Sequence, residues 1–191
     1  MQNLESTPVS GPVSEVERAY AIEVLQSTQA ALHQVINGLT DDQLAYKPGP
    51  NRWSIAENAE HVVLVETGIF GAIKKGMDYA ANPEKRAELK YSDVDVIKAV
   101  RSRSVTLPAP DPFVPTGRFA SISEAMAAFD QQRAAAITYT QTVTDDLRTH
   151  YFRHIALGWL DSYQAILLLA SHGERHRKQI EEVKADPGFP Q

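Results

Sequence analysis

Two histidines four residues apart, His172 and His176 in the run HGERHRKQI, are the residues of this chain best placed for chemistry. Successive helical residues advance by about 100°, so this spacing sets both imidazoles on one face, about 40° and one turn apart. Chelation of a single divalent metal requires that arrangement. The pair also falls inside an apolar arc formed by Ala165, Ile166, Leu168, Leu169, Ile180 and Val183. A catalytic metal usually takes three protein ligands and keeps one position open. His61, beside Leu64 and Val65 on a second amphipathic stretch, is the candidate third ligand, because bundle sites form from side chains on facing helices. The competing reading is core histidines, each satisfied by a hydrogen bond. His33 points away from the apolar face of its helix and reads as solvated. His150 and His154 fall in a connection (THYFRHIALGW), within reach of the mouth of the site, although loop packing is the better account of them.

Several polar residues accompany this set. Glu57 precedes His61 by one turn and is placed to act as a general base, yet it is also the Glu of a capping box opened by Ser54. Asn58, between Val65 and Ile69 on its helix, and Gln179, less than a turn beyond His176, are candidates to support the imidazoles by hydrogen bonding or to line the pocket. Arg133 sits amid Ile122, Met126, Phe129 and Ile137. It reads either as an anion-binding cation or as a buried ion pair, since a buried charge must be compensated. Trp53 reads as an aromatic anchor beside a helix start.

Rival motifs fail on spacing. In a zincin HExxH motif the Glu follows the first His directly, but Gly173 stands there and Glu174 projects away from the histidines. No pair of Glu-x-x-His helices supports a di-iron site, and no glycine-rich nucleotide loop is present.

The elements that must position these residues are helical. Ser14-x-x-Glu17, Ser54-x-x-Glu57 and Ser121-x-x-Glu124 are capping boxes, and Asp161-x-x-Gln164 is a looser relative. The spacing predicts four long helices, over about Ser14–Asn37, Ser54–Lys75, Ser121–Thr144 and Asp161–Lys184, with no strand alternation. Over forty residues separate the second and third, far more than a usual bundle connection, and residues 78–120 hold five prolines and one glycine with a short helical piece near Asp93–Arg103. The expected fold is therefore all-α: a four-helix bundle with one long crossover between helices two and three, read either as a connection that lets those helices lie parallel or as a lid over a site. Residues 1–12 read as a flexible tail and 13–191 as the single domain.

The composition narrows the function. The chain has 191 residues, six histidines, no cysteine and a formal charge of −5. The charge argues against a binder of nucleic-acid backbone, and no apolar run approaches the ~20 residues of a membrane span. The first residues lack a signal peptide, so the expected location is cytoplasmic. Without cysteine, a thiolate ligand or nucleophile must come from another molecule.

The runs NRWSIAENAEH and HGERHRKQI, with Leu39–Asn58 as a whole, resemble the DinB-like (DinB/YfiT-type) metal-binding four-helix bundles over about Val13–Lys184. The resemblance implies a three-histidine site on His61, His172 and His176, a homodimer, and kinship with thiol-dependent S-transferases that use bacillithiol or mycothiol. The expected cofactor is one divalent transition metal, Zn or Ni first and Fe or Mn next. The expected partner is a small-molecule substrate, with or without a low-molecular-weight thiol. Two functions follow: a metal-dependent enzyme activating a thiol (S-transferase-like) or water (hydrolase-like), and a non-catalytic metal- or ligand-binding dimeric bundle.

Overall fold

The computed structural model describes residues 11–103 and 108–191, so most of the expected tail lies outside the described residues. The four long helices form: α1 (Glu15–Ile36), α3 (Ile55–Met77), α5 (Ile122–Thr142) and α6 (Ser162–Lys184), with short helices α2 (Asp41–Ala45) and α4 (Asp93–Arg101) between them. Each long helix starts where its cap dictates. Ser14, Ser54 and Asp161 accept from the backbone N–H three residues on, while Glu17, Glu57 and Gln164 accept from the cap backbone in return. Ser121 departs from this pattern. It accepts from Glu124 N, but the Glu124 carboxylate takes the N–H of Ala120 instead.

The helices close a ring in which α1 packs against α5 and α6, and α3 packs against the same two, leaving α1 opposite α3. Leu25 and Leu32 of α1, Ile55, Val62 and Ile73 of α3, Phe129 of α5 and Leu169, Ile180 and Val183 of α6 are fully buried between them. Each such large side chain contributes about 1.5–3 kcal/mol on burial. The crossover is structured along its described length. Two 3₁₀ turns (Pro83–Glu88 and Asp111–Phe113) flank α4, which packs on α6.

One element differs from the expectation of no strands. Tyr151–His154 (β1) and Gly158–Asp161 (β2) pair antiparallel, Tyr151 opposite Asp161 and His154 opposite Gly158. Four-residue strands are too short to show a hydrophobic alternation, and the turn is closed by Gly158 at φ 75°, which glycine adopts without strain. This small hairpin leaves the helical architecture intact. No helix among the described residues is long and apolar enough to cross a membrane.

Candidate metal centre

His61 on α3 and His172 and His176 on α6 converge. One ring nitrogen from each lies within 4.8 Å of the others, with His61 and His176 buried and His172 half-buried. The ring centroids are 5.1 Å apart for His61 and His172, 4.6 Å for His61 and His176, and 4.5 Å for His172 and His176. Among the described residues this is the group of His, Asp or Glu side chains able to share one metal ion.

The hydrogen bonds behind the rings decide which nitrogens face inward. The side-chain N–H₂ of Asn58 donates to Ser54 O at 2.8 Å, which turns Oδ1 toward His176 Nδ1 at 3.0 Å. His61 Nδ1 lies 2.7 Å from the carbonyl of Phe113, an acceptor only. Both Nδ1 atoms therefore carry their protons, and both Nε2 lone pairs are left for a ligand. Trp53 walls one side, its ring 4.7 Å from that of His61 and stacked at 6.2 Å on that of His176.

The electrostatics favour neutral imidazoles, the form that binds metal. Burial, then the neighbouring imidazoles and Arg175, hold His172 and His176 well below the ordinary histidine value. Burial also lowers His61, against the opposing pull of its bond to Phe113. A neutral three-nitrogen set, with the Nδ1 protons of His61 and His176 engaged, fits a divalent transition metal.

The remaining predicted residues are placed as follows. Asn58 is fully buried and bonds His176. Gln179 accepts from Arg103 at 3.1 Å, within an ion pair that Arg103 makes with Glu182. Glu57 uses one carboxylate oxygen to close the α3 cap and the other to bind Lys47 at 2.6 Å. Arg133 is wholly buried and gives two nitrogens to Glu66, at 2.7 and 3.0 Å, so the guanidinium is occupied by an ion pair. His33 pairs with Asp130 at 2.7 Å, His150 packs in its loop through Asp146 O, and His154 Nδ1 accepts the N–H groups of Ala156 and Leu157 at the hairpin turn.

Glu66, Phe113 and Glu60 are not among the candidate residues. Glu66 follows Val62 by four and precedes Ile69 and Ile73 by three and seven, so its helical position did place it on the apolar face. Phe113 and Glu60 gave no such signal, because what they touch is far away in sequence.

The fold and this centre define a helical-bundle protein with a three-histidine group able to hold a metal ion. The chain belongs to the DinB superfamily, whose family model matches residues 25–180. It is 23% identical to protein YuaE of Bacillus subtilis (strain 168) over 149 residues, 78% of this chain and 88% of that one. Its fold matches that of YfiT from Bacillus subtilis with a TM-score of 0.59 at 16% identity, covering 98% of this chain and 97% of that one. YfiT is described as a probable metal-dependent hydrolase with an unusual four-helix bundle topology.

Proposed function

We propose that this chain is a metal-dependent enzyme in which His61, His172 and His176 hold one divalent transition ion and leave a position open to water or to the thiol of a small cosubstrate. The observation that carries this reading is the convergence of three ring nitrogens within 4.8 Å, two of them oriented by hydrogen bonds from behind. A divalent ion held by neutral imidazoles supplies Lewis acidity that brings the ionisation of water or a thiol toward neutral pH. The protein's own part is positional. Asn58 and the Phe113 carbonyl keep the Nδ1 protons of His176 and His61 turned outward, and Trp53 shields one side of the rings from solvent. The likeness to YfiT supports the water version, and the absence of cysteine makes any thiol version depend on a cosubstrate. Zn or Ni is the preferred ion, and the family resemblance supports a homodimer, which light scattering tests.

Elemental analysis of protein purified without an affinity tag tests the centre. The expected result is about one transition-metal ion per chain, lost on His172→Ala; less than about 0.2, unchanged by the substitution, overturns it. Turnover then separates the chemistries: ester and amide panels for water, and chlorodinitrobenzene with an added low-molecular-weight thiol for transfer. A metal-bearing protein with no metal-dependent rate on either panel favours the binding-module reading.

A further inference from the structure

Adjacent residues of α3 grip the crossover. The Glu60 carboxylate, only 5% exposed, accepts the backbone N–H groups of Thr116, Gly117 and Arg118 at 2.8, 3.0 and 3.3 Å. His61, the next residue, meets the Phe113 carbonyl at 2.7 Å. Two turns on, the Phe113 ring lies so close over Gly68 that a Cβ there would come within 2.5 Å of it. Three points along one helix therefore fasten one short stretch of loop, and the middle point is a candidate metal ligand.

The chemistry of each contact is directional. A carboxylate can only accept, and three successive N–H groups turned toward it form a concave backbone arrangement that suits an anion. The Phe113 carbonyl, which directs the His61 ring, is three residues before this anchor. The carbonyl that meets His61 thus belongs to a loop that Glu60 binds and whose Phe113 ring packs over the bare Cα of Gly68.

We propose that Glu60 is a positioning residue for the metal centre: by clamping residues 113–118 it holds the Phe113 carbonyl behind His61, so that metal binding and loop docking are thermodynamically coupled. Linkage makes the coupling reciprocal. Loosening the loop weakens the metal, and the metal tightens the loop. This rests on the assignment of His61 as a ligand, and the test separates the two.

Zinc and cobalt affinities of the full chain, measured by chelator competition, are compared for wild type, Glu60→Ala, Glu60→Gln and Gly68→Ala. Groups that orient metal-bound histidines commonly change affinity by 10–100-fold, so Glu60→Ala and Gly68→Ala are expected to weaken binding by about tenfold or more. Glu60→Gln, which keeps one acceptor oxygen, falls between. The visible spectrum of the cobalt form shifts in the same order, and amide exchange at Thr116, Gly117 and Arg118 slows when zinc is added to wild type. The urea unfolding midpoint of each variant, measured without metal, guards against a folding artefact. If wild type binds zinc while the variants bind it within about twofold and keep its cobalt spectrum, the clamp is refuted and the centre stands. If wild type binds neither metal, the centre itself fails and the clamp with it.

Discussion

Arg133 and Glu66 form a two-point ion pair at the middle of the bundle, with 0% and 2% of their side chains exposed. The third guanidinium nitrogen extends the link to α1, donating to Leu25 O at 2.7 Å and to Thr28 Oγ1 at 2.8 Å. The pair therefore joins α1, α3 and α5 through one residue. On α6, Gly173 lies against it, and a Cβ there would sit 3.4 Å from the guanidinium, at ordinary contact distance.

Removing one partner strands a buried charge. Arg133→Met is expected to destabilise the fold by about 3–5 kcal/mol in urea denaturation, whereas Arg133→Met with Glu66→Leu recovers most of that loss. A single variant as stable as wild type would show that water reaches Glu66.

Asn58 acts on the centre through His176. Asn58→Leu removes the acceptor for His176 Nδ1, and metal affinity is expected to fall by about 10–100-fold in chelator competition. Asn58→Asp keeps an acceptor and should bind metal more tightly than Asn58→Leu. Equal affinity of both variants and wild type would remove Asn58 from the centre.

Glu57 separates a structural duty from a chemical one. Its oxygens close the α3 cap and bind Lys47, so Glu57→Ala should cost about 0.3–1.5 kcal/mol and leave metal content unchanged. A variant that folds and loads metal normally, yet loses metal-dependent turnover, would instead make Glu57 the general base.

Acid sensitivity should arise in part at the N-terminal end of α1. Arg148 is buried and donates to Glu17 at 2.6 Å, to Asp93 at 2.7 Å and to Asp161 at 3.2 Å. Burial raises the Glu17 carboxyl, but its bonds to Ser14 and Arg148 outweigh this and hold it below its ordinary 4.5. A depressed folded value means the stabilisation is present above the unfolded value and is lost as pH falls through the folded one. Thermal melts across that acid range should show wild type losing its advantage over Glu17→Gln and the two curves converging. An advantage that widens toward low pH contradicts the assignment.

Much of the helical frame was legible in the sequence because its causes are local. Caps at Ser14, Ser54 and Asp161 act across three residues, and the 3.6-residue period of Ile55, Val62, Ile69 and Ile73 marks a buried face without reference to any partner. The pairing of His172 with His176 is local for the same reason. The β1–β2 hairpin was not legible, since its strands are shorter than the pattern that would reveal them.

What the sequence determined by itself was therefore a set of helices, the faces they bury and the imidazoles on those faces. The tertiary structure decided which groups stand behind them. Glu66 rather than a ligand anion meets Arg133, Arg103 takes Gln179, and the Phe113 carbonyl reaches His61 from 52 residues away. Helix formation and capping depend on neighbours within a turn, but the partner of a buried polar group depends on which distant segment packs against it. That choice is made only when the chain closes on itself.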